Sequence, residues 1–277
     1  MLTEEIAGQQ TLLRRLGKGP RHVLALHCAL AHGGAWNAMA TALGDDFTLW
    51  APDLPGHGLS AHWPEGRTQH DAATLIAIEI AERIGKGQAI DVLGHSFGGT
   101  VAVRLQQTRP DLVRTLTLFE PVLFGITRGV ASAAAEDWRA KDKVFVDLYQ
   151  SGKTEEAAQF FHSLWGNGTP LSDLPEHSQR YIIDRIGVIP AAADAITHDA
   201  YGLVAKGKVE AMNLPVLMMH GELSPPVMHT ITELMAARLP NVKTATIQGA
   251  GHMLPLSHAK IIAPQLLAHF GQAAKAA

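Results

Sequence analysis

Three side chains in this 277-residue chain could do covalent chemistry together, and each is marked out by its neighbours. In "DVLGHSFGGTVAVRLQ", Gly94, Ser96 and Gly98 form a G-x-S-x-G pattern between an apolar strand-like run and an amphipathic helical one. A serine in a sharp strand-to-helix turn has its hydroxyl pushed outward, beside a helix N-terminus that favours developing negative charge. The flanking glycines let strand and helix approach without a Cβ clash. The chemistry implied is nucleophilic attack by Ser96 Oγ. An ordinary serine cap in a glycine-rich turn is the plain alternative, and strand, helix and Gly99 together weigh against it.

Such a serine needs a base, and position selects among the fifteen histidines. "VKTATIQGAGHMLPLSHAKIIAPQLLAHF" gives a strand, a Gly-Ala-Gly turn, His252 and then a long amphipathic helix. That places His252 on a loop at the carboxyl edge of a sheet, free to take the serine proton as general base. His258 is read as a helix-face residue, and His32 and His220 are assigned no chemistry. His95 adjoins Ser96, but successive residues at a strand end point to opposite sides. The base in turn needs an anion. Glu120 closes the apolar run "TLTLFE", and Pro121 ends the ladder behind it. The stretch between Ser96 and Glu120 has room for one crossover helix, and a right-handed connection makes the two strands neighbours. Glu222 is the alternative acid, expected to point aside. Asp53 in "DLPGHGLS" is read as holding its own turn. A Ser-His-Glu relay suits acyl transfer through an acyl-enzyme.

The elements that would position these groups alternate along the chain. Apolar runs at 21–27, 47–52, 89–96, 115–120, 215–221 and 242–249 are separated by helical patterns, which implies βαβ units and a mainly parallel sheet covered on both faces. Between Glu120 and Met212 no such run stands out. Apolar residues there recur at helical spacing, so residues 1–120 and 213–277 are expected to form the core and 121–212 a helical insertion. Its aromatic residues Trp138, Tyr149, Phe161, Trp165 and Tyr181 either pack helices together or line a pocket over Ser96. Arg14, Arg15 and Arg21 are read as a solvated face, and "GQAAKAA" after Phe270 as a frayed end.

Composition narrows the partners. A formal charge of −3 without a basic run argues against nucleic acid or anionic membrane and favours a small molecule. Cys28 is the only cysteine, which excludes an intrachain disulfide and a thiolate metal cluster and suits the cytoplasm. There is no apolar run of membrane length and no leader-like N-terminus. No metal or organic cofactor is implied, since H-E-x-x-H, P-loop and dinucleotide motifs are missing from the sequence. Nothing in it speaks to oligomeric state.

The segments "LALHCALAHGGAW" (24–36), "APDLPGHGLS" (51–60), "GHSFGG" (94–99) and "GAGHMLPLSHA" (249–259) together resemble the α/β-hydrolase fold superfamily, from residue 21 onward. The resemblance implies that 121–212 is a cap and that backbone N–H groups of Ala29, with Leu30 as substitute, and Phe97 form an oxyanion hole. It implies structural roles for His27, His57 and His95. This chain has His27-Cys28 where the family usually has His-Gly, and Cys28 is read as filling a tight gap. It also has Ser224 where most relatives carry the acid, which is why Glu120 matters; some relatives place their acid after the sixth strand. The expected activity is hydrolysis of a small apolar ester or lactone. Hydrolysis of a C–C bond in a ring-cleavage diketone would require a cationic pocket residue such as Arg185 or Arg180. A lyase reaction and a non-catalytic ligand receptor are the remaining readings.

Overall fold

The computed structural model describes residues 2–273. Its strands are β1 (Glu4–Ile6), β2 (Gln9–Thr11), β3 (Leu13–Gly17), β4 (Arg21–Leu26), β5 (Phe47–Pro52), β6 (Ile90–His95), β7 (Val113–Phe119), β8 (Val216–Gly221) and β9 (Val242–Ile247). β1 and β2 form a separate antiparallel hairpin, and the other seven form one sheet in the order β3-β5-β4-β6-β7-β8-β9. Within the seven-stranded sheet only β3 runs antiparallel to its neighbour. The six apolar runs of the sequence are β4 to β9. β1 to β3 carry no apolar signal in "EEI", "QQT" and "LRRLG", because a hairpin and a sheet edge have water on one side.

The helices are α1 (Asn37–Leu43), α2 (Gln69–Gly85), α3 (Phe97–Thr108), α4 (Ala133–Gln150), α5 (Thr154–Trp165), α6 (Glu176–Arg185), α7 (Val188–Ile196), α8 (Pro226–Ala236), α9 (Leu254–Ser257) and α10 (Ala259–Ala273). Alternate strand residues feed two cores. Leu24, Leu26, Val92, Leu116, Leu118, Val216 and Met218 pack beneath α2, α3 and α8. Val23, Ala25, Leu93, Phe119, Leu217 and Met219 pack on the other face with α1 and α10. The period of two sends every second side chain to each layer, so both must be apolar. β9 departs from that rule: Lys243, Thr244 and Thr246 are exposed because it is an edge.

Between β7 and β8 the described chain has no strand. α4 and α5 divide at Ser151–Lys153, where Gly152 turns the chain at φ 76°. Phe145, Ala157, Ala158, Leu171 and Ile186 make a small core among these helices.

Two sequence readings need correction. Arg14 and Arg21 are not a solvated face. Arg14 pairs with fully buried Asp53, while Arg21 Nε donates to Asp91 Oδ2 at 2.7 Å and Nη2 to the Phe270 carbonyl at 2.7 Å. Arg15 alone stays exposed. The helix after His252 is broken at His258 into α9 and α10, with His258 at the start of α10 rather than on its face. α10 runs on through Ala273, and residues 274–277 of the expected frayed end lie outside the described residues.

Candidate functional site

β6 ends at His95, and Ser96 follows at φ 53°, ψ −116°, outside the regions that side chains usually occupy. The turn is this sharp because α3 starts at once and crosses the sheet edge closely. A Cβ on Gly98 would lie 2.3 Å from the Leu26 carbonyl oxygen and 2.5 Å from that of His27. One on Gly94 would meet the Gly98 carbonyl oxygen at 2.6 Å. The Ser96 N–H donates to the Phe119 carbonyl at 2.9 Å, which ties the turn to β7.

β7 delivers Glu120 one residue later, also at positive φ (47°) and fully buried. Its N–H donates to the Met219 carbonyl at 3.0 Å. One carboxylate oxygen, Oε2, meets His252 Nδ1 at 2.5 Å. The other, Oε1, accepts from the Gly221 N–H at 2.7 Å and from the Ser224 hydroxyl. Burial pushes the Glu120 carboxyl up, but the imidazole, hydroxyl and amide outweigh it and hold it below the usual glutamate value. Glu120 and His252 thus meet. Glu222 does not join them: it is exposed and its Oε2 accepts from the Gly249 N–H at 2.9 Å.

His252 is buried on the loop after β9. His95 Nε2 lies 2.8 Å from the His252 carbonyl oxygen and donates to it, and the Trp165 ring meets the imidazole edge-on at 4.7 Å. With Nδ1–H donating to Glu120, His252 Nε2 keeps its lone pair. Burial, then the neighbouring His252, hold the His95 imidazole well below its usual value and neutral.

Ser96 and His252 line one cavity of about 660 Å³ with Cys28, Ala29, Leu30 and Phe97. Among the described residues the Ala29 N–H meets no acceptor, and the Phe97 N–H is in the first turn of α3, where no intrahelical acceptor exists. Burial pushes the Cys28 thiol up to about 12, which keeps it protonated and uncharged on the cavity wall. Trp138, Phe161 and Trp165 line the cavity, and the ring stack of Trp138 on Phe124 at 4.1 Å holds it there. Tyr149 and Tyr181 do not. Among the described residues no arginine or lysine lines it, and the single carboxylate on its wall is Asp142. Arg180 is exposed, and Arg185 lies over the Tyr181 ring at 4.1 Å.

The remaining candidates serve the frame. His27 Nδ1–H donates to the Cys28 carbonyl at 2.7 Å and Nε2 accepts from the Leu54 N–H at 2.8 Å. Asp53 holds its own turn, accepting from the Leu59 N–H at 3.0 Å, and also takes the Gly33 N–H at 2.8 Å. His32 accepts from the Gly34 N–H, and half-buried His220 meets Thr246 Oγ1 at 2.9 Å. Sequence reasoning missed what Ser224 touches. It stands where a carboxylate was expected, and only the fold shows that its hydroxyl reaches Glu120 rather than the imidazole.

A family profile described as alpha/beta hydrolase fold matches residues 21–259. The chain belongs to that family. Pimeloyl-[acyl-carrier protein] methyl ester esterase of Nitrosospira multiformis is similar to this alpha/beta hydrolase at 26% identity over 259 residues, 91% of this chain and 95% of that protein. Lipase LipV of Mycobacterium tuberculosis is 39% identical over 105 residues, 38% of this chain, and the match spans 39% of the lipase. The solved structure of Est816, described as an N-acyl homoserine lactone degrading enzyme, has the same fold, with a TM-score of 0.72 at 19% identity over 96% of this chain and 98% of that one. No described helix of this alpha/beta hydrolase is long and apolar enough to cross a membrane.

Proposed function

We propose that the protein is a serine hydrolase of a neutral, largely apolar ester or lactone, working through an acyl-enzyme. Ser96 Oγ attacks the carbonyl carbon while His252 Nε2 takes its proton, and Glu120 stabilises the imidazolium through Nδ1–H. The N–H groups of Ala29 and Phe97 stabilise the oxyanion. The imidazolium then protonates the leaving alcohol as the C–O bond breaks, and water repeats the sequence on the acyl-enzyme. Residues 121–212 act as the cap over this site. The observation that carries the reading is the buried Glu120–His252 contact beside a serine in a strained turn, on the wall of a mostly apolar cavity. The esterase and lipase relatives support it.

Hydrolysis of a ring-cleavage diketone ranks second, because an anionic substrate would meet Asp142 and neither an arginine nor a lysine on the cavity wall. A fluorophosphonate probe should label Ser96 within minutes, as read by peptide mass spectrometry, and p-nitrophenyl hexanoate should be hydrolysed. An unlabelled Ser96 would point to a ligand receptor. Rapid labelling, with turnover of a carboxylate-bearing dienone far above that of every ester, would replace the esterase by a C–C hydrolase.

A further inference from the structure

Tyr181 on α6 reaches out of its own segment into two loops of the sheet domain. Its hydroxyl donates to the Ala31 carbonyl at 2.9 Å and accepts from the Gly58 N–H at 2.9 Å. One turn along α6, the Arg185 guanidinium covers the ring. The contact at Ala31 matters because of the turn that ends there. The Ala31 N–H donates to the Cys28 carbonyl at 3.3 Å, closing a four-residue turn with Ala29 and Leu30 in its middle. Leu30 has φ 59°, the left-handed region where such turns normally require glycine. A leucine there is strained, so the turn needs outside contacts to persist. Its shape sets where the Ala29 N–H points.

We propose that Tyr181 is a positioning residue for the oxyanion site: from α6 it holds the Cys28–Ala31 turn in the conformation that aims the Ala29 N–H into the cavity. Turnover then depends on the Tyr181 hydroxyl bridging the Ala31 and Gly58 loops, not merely on α6 lying over them. The inference rests on the serine-hydrolase reading and extends it.

The test compares ligands that do and do not form an oxyanion. Tyr181→Phe keeps the ring beneath Arg185 and removes both hydrogen bonds. It should lower kcat for a short p-nitrophenyl ester about 10- to 100-fold with KM within twofold. Affinity for an aryl trifluoromethyl ketone, which adds Ser96 and becomes a hemiketal oxyanion, should fall by the same factor. The matching methyl ketone, which stays trigonal, should bind as before. Arg185→Gln, which leaves the hydroxyl in place, should spare the trifluoromethyl ketone. The unmutated protein gives an independent reading should the phenylalanine variant not fold: its Gly58 amide should exchange with solvent more slowly with the trifluoromethyl ketone bound than with the methyl ketone. Equal losses for both ketones, an Arg185→Gln defect as large as that of Tyr181→Phe, or identical Gly58 exchange would overturn the inference in favour of simple docking of α6. A wild-type Ser96 inert to fluorophosphonate would instead sink the hydrolase reading, and this one with it.

Discussion

At the scale of single residues, the two oxygens of Glu120 have different duties, and this makes a sharp prediction. Oε1 faces two donors, the Gly221 N–H and the Ser224 hydroxyl, so in Glu120→Gln the carbonyl oxygen must take that place. The amide NH2 then faces His252 Nδ1, which must accept, and the proton moves to Nε2, where the proposed general base needs its lone pair. We expect kcat to fall about 1,000- to 10,000-fold with the fold intact, as seen for wrong-tautomer variants of Ser-His-Asp triads. Glu222→Gln should change kcat less than about twofold, because its carboxylate serves only the Gly249 turn. Steady-state kinetics with circular dichroism as the folding control checks both. Ser224→Asp is the instructive case. It does not supply a spare acid, because its carboxylate would sit against Glu120 Oε1, and two carboxylates in contact share a proton. Its activity should fall rather than rise, and most at acidic pH.

At the scale of elements, the site depends on how closely β6 and α3 meet. Gly98→Ala would drive a Cβ into the carbonyl oxygens of Leu26 and His27, which are backbone atoms and cannot swing away. α3 must shift, carrying the Phe97 N–H with it. A loss of about 2 kcal/mol or more is expected from denaturant midpoints, together with slower labelling of Ser96. The opposite end of the same strands is held differently. Fully buried Asp91 at the start of β6 accepts from Arg21, Arg114 and Thr115, which ties β4, β6 and β7 together far along the strands from Ser96. Burial pushes its carboxyl up, yet the two guanidiniums hold it below the usual aspartate value. Asp91→Ala should cost about 2 kcal/mol, less than a fully buried pair because both arginines reach water. It should leave kcat of the folded fraction unchanged.

At the scale of the molecule, stability should depend on acid more through histidines than through carboxylates. Burial holds His27 and His95 well below their usual value, His57 at about 4 and His70, beside the Arg104 guanidinium, at about 3. Each is neutral in the fold and would bind a proton near pH 6.5 when unfolded. The unfolded chain therefore takes up more protons between the two values, and stability falls as pH drops from 6.5, by up to about 1.4 kcal/mol per pH unit for each residue. Glu120, held low, adds a further loss only once pH falls below about 4.5. Urea midpoints should decline steadily from pH 6.5 to 4, and His70→Gln should flatten the slope. A midpoint constant over that range would show these imidazoles to be protonated in the fold.

The chain itself settled what local pattern can settle. The apolar runs located β4 to β8, because a strand buried on both faces has to be apolar throughout, whereas the edge strand β9 was marked by its β-branched residues. "GHSFGG" marked the turn at Ser96, because only glycines tolerate backbone that close. The positions of Glu120 after β7 and His252 on the loop after β9 followed from strand order and handedness together with the family resemblance. Other features were invisible in one dimension. β1 to β3 are polar edges, Arg14 and Arg21 find carboxylates 39 and 70 residues away, and Tyr181 crosses 150 residues to Ala31. Above all, strand order favoured Glu120 over Glu222, but the actual contact of that carboxylate with the imidazole, and that of Ser224 with the carboxylate, depend on which way side chains on three separate loops point. Such directions are set by packing among strands distant in sequence, and no spacing along the chain encodes them.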